Sequence, residues 1–87
     1  MVYPTTPDDR RTHREQVMRI LKEEARINRT TPEALMGHDR TNWKVAVRDR
    51  VMWRARQETD ASFPTIAAIF GYTHTAAIAA VKRYAKR

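Results

Sequence analysis

The chain has 87 residues, with 17 Lys and Arg against 10 Asp and Glu and a formal net charge of +7 when the histidines are neutral. That length allows one small domain with a modest core and no second core. The basic balance favours a polyanionic partner. The absence of cysteine removes disulfides, thiolate chemistry and zinc-finger ligation together, and it fits a reducing cytosol. No apolar run approaches the roughly 20 residues that span a bilayer. Met1 to Arg11 holds no signal-peptide core, so the expected location is cytoplasmic, with no membrane partner.

Met1 to Thr6 reads as a loose arm, with Thr6 as the cap of a helix that opens on Pro7, Asp8 and Asp9, where carboxylates suit the positive end of the dipole. Val17, Ile20, Leu21, Ile27 and Asn28 recur on one side, which predicts a helix over 8–27 with Arg14, Arg19, Lys22 and Glu23 in solvent. Thr31 then caps a short helix over 32–36 that begins with Pro32 and ends at Gly37. Leu35 and Met36 are its core contribution. The loop from His38 to Asn42 contains Arg40.

A third helix over 43–59 carries Val47, Val51, Met52 and Ala55 inward, with Lys44, Arg48, Arg50, Arg54 and Arg56 mostly outward. Arg48 and Arg56 are eight residues apart, near one face after two turns, so both are placed to face phosphates. Trp43 and Trp53 cannot share a stripe. A buried Trp is the ordinary case for either, and an exposed one points to a partner surface.

The stretch from Ser62 to Arg83 reads as a helix-turn-helix. Ser62 caps a helix over 63–69 with Pro64 in its first turn, and the apolar run Ile66 to Phe70 stops at Gly71. Thr73 caps a second helix over 74–85, in which Ala77, Ala80, Val81 and Tyr84 recur at spacings of three and four. Lys82, Arg83, Lys86 and Arg87 follow where the dipole favours cations. Two short helices joined through a glycine match the geometry that lays the second helix in a DNA major groove, and they also match an ordinary helical hairpin.

At these residues the chain resembles the C-terminal DNA-binding domain of the bacterial replication initiator DnaA, within the Trp-repressor-like group of helix-turn-helix folds. Ser62, Phe63, Pro64, Ile66 and Ala67 fit its Ser-Leu-Pro-Glu-Ile-Gly helix, Phe70 and Gly71 its turn, and His74, Thr75, Ala80 and Lys82 its recognition helix. Upstream, Thr31 to Gly37 fits the family's short helix, Arg40 falls in its basic loop, and Arg48 stands where the family has the second Arg of an Arg-Pro-Arg-Gln string. The likeness runs over residues 14–87. The departures fall on positions that touch DNA in the family. Tyr72-Thr73 shortens the string before His74 and removes its Arg and Asp. Ala76 replaces a Thr, Asp49 the Gln and Val47 the Pro, and Gly37-His38-Asp39 is less basic than the family's loop. Fold and general DNA binding therefore carry over better than the particular site read.

No catalytic constellation shows. With Gly37 and Gly71 as its two glycines, the chain has no phosphate-cradling loop and no Walker motif. His13, His38 and His74 lie on separate elements without metal-ligand spacing. Asp8 and Asp9 complement a dipole more readily than they form an acid–base pair. The expectation is one all-α domain over 1–87, a bundle of about five helices with residues 1–6 as an arm, and no cofactor, metal, small-molecule substrate or catalysis.

The expected partner is double-stranded DNA. Lys and Arg supply affinity through phosphates, Arg48 and Arg56 among them, and the N-terminus at Phe63 and Pro64 holds a phosphate. Thr73, His74, Thr75 and Ala76 supply major-groove readout, and Arg40, by the resemblance, reaches an adjacent minor groove. The process expected is regulation of replication initiation or transcription at initiator-type sites, in a bacterial nucleoid or for a phage. The rivals are a DNA-recognition subunit of a phage or mobile element, and an adaptor that kept the fold, lost base readout and binds the replication initiator or another protein.

Overall fold

The first helix, α1 (Pro7–Ile27), is amphipathic over its second half, where Val17, Ile20, Leu21 and Ala25 are buried. In this computed structural model residues 7–37 and 40–86 are described, the first four of them by backbone alone. The expected arm, the Thr6 cap, the carboxylates of Asp8 and Asp9, the loop residues His38 and Asp39, and Arg87 lie outside the described residues. The other helices are α2 (Pro32–Met36), α3 (Asn42–Glu58), α4 (Phe63–Phe70) and α5 (His74–Ala85). Each boundary falls within one residue of that expected from caps and periodicity, and the described residues contain no strand.

The end of α1 departs from expectation. Ile27 is 62% exposed and Asn28 is exposed, although both were expected to extend the apolar stripe. The chain reverses here in a Schellman turn: Thr30 N–H donates to the Ala25 carbonyl at 2.8 Å and Arg29 N–H to that of Arg26 at 3.2 Å. Arg29 takes the left-handed conformation this requires, with φ 55°. The backbone therefore leaves the core one turn earlier than the apolar pattern implies.

α3 and α4 each pack against all four other helices, whereas α1 and α5 do not pack on one another. α3 has little amphipathic character because its buried arc, Val47, Arg48, Asp49, Val51, Met52 and Ala55, mixes charged with apolar side chains. Leu21, Leu35, Met52, Ile66 and Phe70 fill the centre. Each such side chain contributes roughly 1.5–3 kcal/mol by leaving water.

Charges also stitch the bundle. Glu24, almost wholly buried, accepts from Arg50 Nε at 2.8 Å and from Arg54 Nη1 at 2.9 Å. Arg54 further holds Glu23 at 3.1 Å and Glu58 at 2.6 Å, and Arg50 Nη1 donates to the Tyr84 hydroxyl at 2.8 Å. Arg50 and Arg54, expected mostly in solvent, thus tie α3 to α1, and Arg50 reaches α5 as well. Glu23, also expected in solvent, belongs to the same network. The hydrogen bond from Arg54 holds the Glu58 carboxyl below the usual carboxylate range.

Candidate nucleic-acid interface

α4 and α5 cross at 97°, inside the range of DNA-binding helix-turn-helix pairs. Local chemistry builds the angle. Ser62 Oγ accepts from Thr65 N–H at 3.3 Å and starts α4, with Pro64 in the first turn. α4 ends in a second Schellman turn, in which Tyr72 N–H donates to the Ala67 carbonyl at 2.9 Å and Gly71 N–H to that of Ala68 at 3.3 Å. Gly71 sits at φ 72°, a conformation open to glycine without a Cβ penalty. Two residues later Thr73 Oγ1 accepts from Ala76 N–H at 3.2 Å and opens α5. The apolar faces of this pair are spent on the core, through Ile66, Ala67, Ile69, Phe70, Ala77 and Ala80. Among the described residues no single helix is long and apolar enough to cross a membrane.

The first turn of α5 presents His74, Thr75 and Ala76 to solvent together. Thr73 is exposed beside them, but its oxygen accepts the capping bond, which leaves its O–H to donate outward. Ala76 also lines a cleft of about 530 Å³ between α3 and α5, whose wall is completed by Arg40, Arg48, Asp49, Tyr72 and Arg83. Arg40 is exposed at the mouth, on the loop between α2 and α3. Tyr72 is held in place by stacking on Phe70, with ring centroids 6.0 Å apart.

At the start of α4, Arg56 lies over the Phe63 ring at 4.6 Å, and its Nη1 donates to the Ala61 carbonyl at 2.7 Å. Arg56 remains exposed, as does Pro64, and Phe63 is half-buried between them and the core. A guanidinium is thereby fixed beside a helix N-terminus, where unpaired amide hydrogens and the dipole both favour an anion.

Arg48 is a correction. It was expected to face phosphates beside Arg56, but it is 2% exposed and its Nε donates to the Leu35 carbonyl at the end of α2. Eight residues advance about 80° beyond two full turns, so the two arginines do not share a stripe. Val47, Val51, Met52 and Ala55 flank Arg48 on both sides, placing it mid-way along the buried arc, while Arg56 lies at the edge.

Two further features bear on the surface. Asp49, expected at a DNA-contacting position, is buried, and both its carboxylate oxygens accept from Arg83 at 2.7 Å. The hydrogen bonds from this pair hold the Arg83 guanidinium even more firmly protonated than usual. Trp43, at the start of α3, is 45% exposed, with the Lys44 ammonium 5.7 Å from its ring centroid. Spacing alone gave no signal for the Asp49–Arg83 pair, which joins residues 34 apart in the chain.

A right-angled helix pair with an exposed, capped recognition turn and flanking guanidinia defines the class: a helix-turn-helix module of the DNA-binding kind. The profile of the bacterial DnaA protein helix-turn-helix matches residues 15–83, and the chain belongs to that family. The family is one of non-catalytic modules that bind double-stranded DNA, and its match runs from within α1 to within α5. Neither the curated proteins nor the solved structures give a match to the chain.

Proposed function

We propose that this chain is a sequence-preferring binder of double-stranded DNA that works without nucleotide hydrolysis and regulates replication initiation or transcription by occupying initiator-type sites in the nucleoid. The observation that carries the reading is the first turn of α5. His74 and Thr75 stand exposed beyond a capped N-terminus, in reach of base edges and thymine methyls. Arg40 at the cleft mouth would enter a minor groove, and Arg56 with the start of α4 would hold a phosphate. Selecting bound duplexes from a random library tests the proposal. A consensus that weakens with Thr75→Ala supports it, and recovery of no consensus removes base readout.

A second reading, a protein-interaction adaptor that would engage the initiator itself, draws on one observation, the half-exposed Trp43 at the start of α3. Duplex binding that responds steeply to salt favours the first reading; absence of such binding, with a Trp43→Ala variant that loses a protein partner, favours the second.

A further inference from the structure

The face of α1 that points away from the core is a basic surface that the reading above does not use. Arg11, Arg14, Arg19, Lys22 and Arg26 are all exposed on it. Its carboxylate is Glu15, paired with Arg11 at 3.4 Å, whereas Glu23 is turned to Arg54. Among the described residues Arg14, Arg19, Lys22 and Arg26 make no ion pair. These cations are therefore not neutralised within the fold, unlike Arg50, Arg54 and Arg83.

Topology sets this face apart. α1 packs on α2, α3 and α4, and α5 packs on α3 and α4, so the cation row and the first turn of α5 are carried by helices that do not touch. From Arg11 to Arg26 the row extends about 22 Å, comparable to about six base pairs of duplex. Arginine and lysine spaced along a rod suit phosphate binding, which needs no shape beyond a row of cations. A lipid surface would require an apolar stripe to insert, and the apolar stripe of α1 is already buried in the core.

We propose that the solvent face of α1 is a second, sequence-independent site for duplex DNA, so that one chain can hold two duplex segments on separate helices. The first site sets where the protein sits, and the second gathers a neighbouring segment of whatever sequence.

The test is stoichiometry by sedimentation velocity, with the full chain, a short duplex in excess and low salt. The expected result is one chain with two duplexes. Replacing Arg19→Gln, Lys22→Gln and Arg26→Gln together keeps exposed helix-forming residues, and circular dichroism checks the fold; Lys22→Gln with Arg26→Gln serves if the triple variant is unstable. The variant should hold one duplex with unchanged affinity for the preferred sequence. In an Arg19→Gln single variant, which keeps the other cations, binding of the second duplex should lose about 0.9 in log–log salt slope. A wild-type chain that holds one duplex and a variant with none would keep the α1 site and remove the α5 reading. Wild type and variant behaving alike would overturn the α1 site, as would complexes of two chains with two duplexes. Binding of the α1 face to vesicles of phosphatidylglycerol and phosphatidylcholine, with one duplex per wild-type chain and one per variant, would overturn it as well.

Discussion

Arg48 and Arg56 sit two turns apart on α3, and their neighbours give them different work. Arg48→Ala should remove a buried hydrogen bond to the Leu35 carbonyl and leave a void between α2 and α3, destabilising the fold by about 2–4 kcal/mol in chemical denaturation. Arg56→Ala should change stability little, within about 1 kcal/mol, and lower the salt slope of duplex binding by about 0.9 if it removes one phosphate contact. Equal effects of the two substitutions on DNA binding at matched folded fraction would contradict this division. Thr75→Ala should cost about 1–3 kcal/mol on a preferred site and far less on random duplex, as measured by competition binding. At this scale the sequence was informative where a residue acts locally, as Ser62, Thr73 and Gly71 do. It was uninformative where charge and burial compete: Arg48 reads as a surface cation because its hydrogen-bond acceptor lies on a different helix.

Among the elements, the turn between α4 and α5 controls how the recognition turn is aimed. Gly71→Ala places a Cβ at φ 72° and should destabilise the protein by about 1–2 kcal/mol. Thr73→Ala removes the cap of α5 and should cost about 1 kcal/mol of stability. Because it also frays the turn bearing His74 and Thr75, duplex affinity should fall at temperatures where the fold persists. Calorimetry and binding on the same samples separate the two effects. The Arg54–Glu58 pair within α3 predicts a pH dependence. Glu58 has its folded pKa depressed by Arg54, so its contribution to stability is complete above the ordinary glutamate value of about 4.3 and disappears as pH falls through the lower folded value. Glu58→Gln should flatten the acid limb of a stability–pH curve and leave neutral behaviour nearly unchanged. These helices were legible because punctuation and periodicity together place each boundary within one residue, although the apolar pattern overshoots at the end of α1. Their pairing through Glu24, Arg50 and Arg54 was not, since the buried Glu24 is matched only by arginines that arrive from another helix.

Across the whole molecule, α3 and α4 join every other helix, while α1 and the start of α5, which do not touch, carry charge and chemistry outward. Composition announced a polyanion partner, but it did not apportion the cations. Some are consumed internally, with Arg83 on Asp49 and Arg50 and Arg54 on Glu24. Others, on α1 and at Arg40 and Arg56, remain exposed. Only the packed bundle decides that division. The same packing separates the two tryptophans. Trp53 is half-buried with its ring centroid 5.1 Å from that of Tyr84, bound into the contact between α3 and α5. Trp43 stands half in solvent at the start of α3, three residues after Arg40. The chain thus contains two intrinsic fluorophores with separate duties. Emission from Trp53 follows the docking of α5 and shifts on unfolding, while Trp43 is open to quenchers and senses whatever arrives at the loop. In a Trp43→Phe variant the denaturation signal should persist while any quenching by added duplex disappears, so folding and occupancy can be read in one cuvette without a label.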